Sequence, residues 1–171
     1  MKTFISVLAV SAVLMTSGLQ AQDKATRPSP PAKASGTSAK GATIAIDYSQ
    51  PSVKGRMIGK EIAPYGEVWR TGANEATTFE VNKDVTINGK SLKAGKYGLY
   101  SIPGENEWTI IFNKKNNLWG SNGYSEADDA LRITAKPEKA ASMTEKMTFN
   151  VADGGKVKMM WGDVAVDFVV E

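Results

Sequence analysis

Between Pro64 and Thr77 the chain gathers Arg70, Thr71, Asn74 and Glu75 among two aromatics, Tyr65 and Trp69, and two glycines, Gly66 and Gly72. A guanidinium, an amide and a carboxylate this close along a loop can hold the hydroxyls and carboxylates of a small polar ligand, with Tyr65 as a stacking wall. Ligand sites of that kind sit on loops carried by a rigid scaffold. The same residues can also satisfy one another. Arg70 and Glu75 can form a charge-assisted fork, Asn74 can bond to backbone, and Trp69 can drop its indole into the core. Gly72 would then supply a backbone conformation closed to other residues. The loop is either a binding site or a self-bonded plug over one end of the fold.

Three further constellations carry candidate chemistry. Of the four tryptophans, Trp108 and Trp161 lie on strand-like segments and are expected in the core. Trp119 sits in a polar stretch between Asn116-Asn117 and Gly120-Ser121-Asn122 and is the expected exposed aromatic, suited to stacking on a sugar ring. Glu126, Asp128 and Asp129, with Asn122 upstream, offer oxygen ligands but lack the spacing of a calcium loop. Ser125 with Asp128 reads instead as a helix-start box, so no metal site is expected. Glu75 with Glu61, Glu67 or Glu80 could supply the two carboxyls of a glycan hydrolase.

Composition narrows the chemistry. The chain contains no His and no Cys. Histidine- or cysteine-based nucleophilic constellations are therefore excluded, as are imidazole and thiolate metal sites and disulfides. No cofactor is expected, and the balance leans away from an enzyme. The formal net charge of +3 is misplaced. Lys2 holds one of those charges, and Lys24, Arg27, Lys33 and Lys40 against Asp23 hold three more, which leaves about −1 for residues 43–171. A folded part without basic excess argues against nucleic acid as a partner.

The elements that must carry these residues follow from punctuation and period. Residues 1–21 read as a secretory signal peptide: Lys2, an apolar run from Phe4 to Met15, and Leu19-Gln20-Ala21 at the cleavage site. No membrane span is expected in the mature chain, and the expected location is periplasmic or extracellular. Residues 22–42, rich in Pro, Ala and Lys, are expected to form a disordered spacer, with a basic tether to an anionic surface as the alternative. From residue 43 to 171 the pattern turns to period two, as in Phe79/Val81, Val85/Ile87, Trp108/Ile110/Phe112, Met147/Phe149/Val151 and Val164/Val166/Phe168/Val170. Asn88-Gly89 is a hairpin signal, because both positions of that turn need positive φ. Ser125–Ala130 and Pro137–Thr144 could each give a turn or two of helix. The expected fold is all-β, a single antiparallel, jelly-roll-like sandwich of eight or nine short strands.

The blocks Pro64–Thr78 and Leu92–Pro103, followed by Trp108-Thr109-Ile110-Ile111, resemble a family of small secreted bacterial proteins described only as a domain of unknown function. So do Tyr48–Arg56 and Trp119-Gly120, and the resemblance runs from about Asp47 to the C-terminus. It implies export and an all-β domain, and carries no established activity. Three functions fit these residues. The first is a non-catalytic binder of a glycan or small polar envelope ligand, using Arg70, Asn74, Glu75, Thr71, Tyr65 and Trp119. The second is a carboxylate-dependent glycan hydrolase built on Glu75. The third is a structural or interaction protein of the envelope, with Val164–Val170 as a candidate open edge. No oligomeric state is specified.

Overall fold

A computed structural model describes residues 24–171, and the expected signal peptide lies outside the described residues. Ten strands form an antiparallel all-β sandwich. They are β1 (Pro31–Thr37), β2 (Thr43–Ser49), β3 (Thr78–Val81), β4 (Val85–Ile87), β5 (Lys90–Leu92), β6 (Gly95–Ile102), β7 (Trp108–Asn113), β8 (Asp129–Ala135), β9 (Glu138–Val151) and β10 (Lys156–Val169). The front layer is a six-stranded sheet in the order β1-β2-β3-β6-β7-β8. The back layer is the long β9–β10 hairpin, extended by the β4–β5 hairpin through a bridge between Ile87 and Val170. Asn88 and Gly89, with φ of 47° and 79°, turn the short hairpin as their sequence demands.

The period-two residues meet between the layers. Ile44, Ile46, Phe79, Leu99 and Phe112 from the front face Met147, Phe149, Met159, Val166 and Phe168 from the back. Phe79, Phe112 and Phe168 form a triangle of rings with centroids 4.9 to 6.1 Å apart. Each such ring, fully buried, contributes on the order of 1.5–3 kcal/mol. At one end Trp69 stacks on Trp161 at 5.2 Å and meets Trp108 edge-on at 6.3 Å.

Two sequence expectations are corrected. Residues 31–37 are not part of a disordered spacer. They pair with β2 in unbroken register from Pro31–Ser49 to Thr37–Thr43, with Ala32 and Ala34 packed on the core. A strand bound mainly through its backbone needs little apolar side chain, so composition understated this segment. Gly36 permits the approach, since a Cβ there would stand 2.6 Å from the Val151 side chain. Residues 138–144 are strand rather than helix, because β10 offers them a partner through Gly162–Thr144 and Val164–Lys139. Val164–Val170 is an edge covered in part: β10 ends a two-stranded sheet, β9 pairs Val164 and Ala165 on one side, and β4 bridges Val170.

Candidate functional site

The front sheet carries apolar side chains on both faces. Tyr97 and Leu99 turn inward to the main core, whereas Tyr100 and Ile111 build a second small cluster with Ala76, packed against Val68, Ile102, Leu118 and Tyr124. That outer cluster needs a cover, and two loops supply it. The first, residues 68–77, is stitched to β6 by reciprocal Trp69–Ser101 hydrogen bonds of 2.8 Å and by Leu99 N–H to Thr77 O at 2.7 Å. The second, residues 114–125, joins the first through Ala76 N–H to Leu118 O (3.0 Å), Gly120 N–H to Asn74 O (3.1 Å) and a bridge between Glu75 and Trp119.

Each loop is fixed from below. Thr71 is buried with φ of 48°, a left-handed conformation that costs a β-branched residue on the order of 1–3 kcal/mol. Its hydroxyl lies 2.9 Å from that of Ser101, and its carbonyl accepts from Thr77 Oγ1 at 2.9 Å. Asn74 is also left-handed, at 59°. The second loop is clamped at both ends by the fully buried Asn113. Its Nδ2 donates to Ser125 O (3.0 Å) and Asp129 Oδ1 (2.7 Å), and its Oδ1 accepts from Lys115 N–H (2.9 Å). Asp129 Oδ2 in turn accepts from Tyr124 Oη (2.9 Å) and Arg132 Nε (2.6 Å). Burial first, and the Asp129 carboxylate second, push the Tyr124 hydroxyl up to about 12.

Beside the loops, on the outer face of β2, β3 and β6, lies a cleft of about 390 Å³. Its polar lining includes Glu75, Asp47, Lys96 and Asn116, with Lys24 and Arg27 from the segment that precedes β1. Asp47 sits between Lys33 at 2.7 Å and Lys96 at 3.9 Å. Arg27 Nη1 lies 3.0 Å from both oxygens of Glu75, and Lys24 Nζ lies at 3.3 Å. Burial would raise the Glu75 carboxyl, but its own backbone N–H, Arg27 and Lys24 together hold it below the ordinary value of 4.5. Asn74 Nδ2 donates to Ser29 O at 3.0 Å, and Gln50 N–H donates to Pro30 O at 2.9 Å. Residues 24–30 thus cross the site as a strap.

Of the residues nominated from the sequence, Arg70, Thr71, Asn74, Glu75 and Trp119 are brought together by the paired loops, and only Glu75 lines the cleft. Tyr65 is elsewhere: its ring lies over Gly59 and lines a separate groove with Glu105 and Asp163. The expected Arg70–Glu75 fork is absent, because Glu75 turns to Arg27 and Lys24. Arg70 packs its guanidinium on Gly120, with Nε buried and unbonded. Gly72 does not have positive φ. Its need is for space, since a Cβ would stand 2.6 Å from Thr77 Oγ1 and 3.2 Å from Ser49 O. Trp119 is 57% exposed, as its polar surroundings led us to expect, whereas Trp108 and Trp161 are buried. Among the other acids, Glu61 bonds to Met57 N–H at 2.8 Å, Glu80 lies 3.7 Å from Lys96, and Asp129 is spent on its network. Sequence reasoning missed Asp47 and Lys96, although strand parity places both opposite the core. It also missed Arg27, for which no sequence signal existed.

A family model described as protein of unknown function (DUF2911) matches residues 29–170. No curated protein and no solved structure matches the chain.

Proposed function

The chain belongs to the DUF2911 family, and from that premise we propose an exported, non-catalytic binding protein whose outer-face cleft takes a glycan or another small polar ligand. The observation that carries this reading is the cleft itself: about 390 Å³ and lined by hydrogen-bonding side chains of both signs, with the exposed Trp119 outside its lining but bridged to Glu75, which lines it. Trp119 and Glu75 are cross-strand neighbours, so their side chains leave the same face of the paired loops. An indole beside a carboxylate suits a sugar ring, which presents an apolar face and a rim of hydroxyls. Asp47, Lys96 and Asn116 supply further donors and acceptors across the floor.

The state of Glu75 speaks against one form of the hydrolase alternative, that in which Glu75 is the general acid. A general acid needs a carboxyl raised toward neutrality, and Glu75 is held in the opposite direction.

The test is thermal stability against a panel of sugars and glycan fragments. A ligand at a hundredfold excess over its Kd should add about 2.7 kcal/mol, and Trp119→Ala should remove that gain while leaving the free protein's Tm near that of the wild type. Asn74→Ala would be a poor control, because φ of 59° at that position penalises alanine. A panel without any saturable shift would sink the reading.

A further inference from the structure

We propose that Glu75 and Asn74 form a receptor for an arginine-bearing peptide, and that residues 24–30 of the chain fill it in cis. This goes beyond the polar-ligand reading and does not depend on a glycan entering the cleft.

The contacts divide as peptide recognition requires, one set to a side chain and one to the main chain. Arg27 Nη1 sits 3.0 Å from both Glu75 oxygens. Two residues on, the Ser29 carbonyl accepts from Asn74 Nδ2 at 3.0 Å. One residue further, the Pro30 carbonyl accepts from Gln50 N–H at 2.9 Å, and the segment then runs into β1. Lys24 adds a second cation 3.3 Å from Glu75. A carboxylate reads the charge, and an amide and a backbone N–H take the two carbonyls where the 3-10 turn at Lys24–Thr26 and the bends after it give way to β1, a division of main-chain bonds for affinity and a side-chain site for specificity.

The receptor side is built independently of its occupant. Glu75 and Asn74 stand on a loop whose shape is set by Ser101, Thr77 and Gly120, none of which touches the strap through any bond that fixes it. The left-handed backbone of Asn74 is tied to the second loop, its main-chain oxygen accepting from Gly120 N–H at 3.1 Å. Without the strap's two cations the cleft would retain Asp47 and Glu75 against Lys96, with Lys33 on Asp47. Both of those lysines face Asp47, so among the described residues Glu75 would be left with no cation within ion-pair distance.

The strap is also lightly held. Its ion pairs are partly exposed, Lys24 by 65% and Glu75 by 41%. A short tether places a segment at about millimolar effective concentration. An arginine-bearing peptide that binds more tightly than that would replace the strap, and the cis segment sets the threshold below which nothing binds.

The experiment compares the full-length chain with the double variant Lys24→Ala/Arg27→Ala. The probe is a synthetic peptide of residues 24–30, titrated by calorimetry. The double variant should bind the peptide at least tenfold more tightly than the wild type, whose site is filled. Adding Glu75→Gln should weaken that binding at least tenfold, and a peptide with alanine in place of its arginine should not compete. Equal binding by wild type and double variant, no binding by the double variant at millimolar peptide, or indifference to Glu75→Gln would each overturn the proposal. The substituted side chains lie at the surface of the cleft, and unchanged far-ultraviolet circular dichroism would show the variants to be folded.

Discussion

The main-chain oxygen of Lys115 lies 2.5 Å from the point where a Cβ on Gly98 would stand, with the Tyr100 ring at 2.8 Å. The second loop therefore rests directly on the backbone of β6. Gly98 has no positive φ, so the requirement is steric. Gly98→Ala should push the loop off the sheet at a cost of about 1–3 kcal/mol. The expected outcome is a lower Tm together with faster amide exchange across residues 114–121.

Asp129 is the acceptor that ties Asn113, Tyr124 and Arg132 into one network, and its side chain is only 8% exposed. Asp129→Ala leaves an arginine, a phenol and an amide without their shared partner. Chemical denaturation should report a loss of about 2–3 kcal/mol, larger than for any of the exposed ion pairs, whose usual worth is about 0–1 kcal/mol.

Tyr124 gives a spectroscopic handle on the same network. Its hydroxyl is raised to about 12, so the folded state holds that proton more tightly than the unfolded chain does. The stabilisation is complete below the ordinary tyrosine value, near 10, and is lost as pH climbs from there to about 12. Burial raises Tyr97 and Tyr100 as well, so absorbance titration should show one fewer phenol ionising near pH 12 in Tyr124→Phe than in the wild type.

Glu75 behaves with the opposite sign. Its carboxyl is held below 4.5, so the grip of the strap is complete above that value and fades as pH falls through the lowered one. Nuclear magnetic resonance should show the Arg27 and Ser29 amide shifts constant at neutral pH and moving toward random-coil positions in acid. Glu75→Gln should show the acid positions at every pH.

Strand β1 was the part of the fold least legible in the sequence. Its residues, Pro-Ala-Lys-Ala-Ser-Gly-Thr, offer the core only two alanines. What orders them is β2, whose unpaired backbone they complete, and a composition count has no access to that. Amide exchange should show Ala32, Ala34 and Gly36, whose N–H groups face β2, protected well above the alternate amides of this edge strand. Residues 138–144 misled for a related reason, because a distant partner decided their conformation. By contrast, alternation in β3, β7 and β10 and the Asn88-Gly89 turn could be read locally, since each depends on parity or on a single φ requirement. At the site, Trp119 was legible from its polar neighbours, whereas the partner of Glu75 was not. The nearest arginine along the chain, Arg70, lost to one 48 residues away, and sequence separation carries no information about which cation a carboxylate meets.

The stacked pair Trp69 and Trp161 has a use of its own. One indole rides on the first loop and the other is embedded in β10, with ring planes 13° apart. Two chromophores so placed couple their transitions, and the coupling decays steeply with separation. The molecule thus carries an optical gauge between the first loop and its frame. Any event that lifts the loop should be visible in unlabelled protein as a fading of the paired-indole dichroism, and any event that leaves the loop seated should be silent.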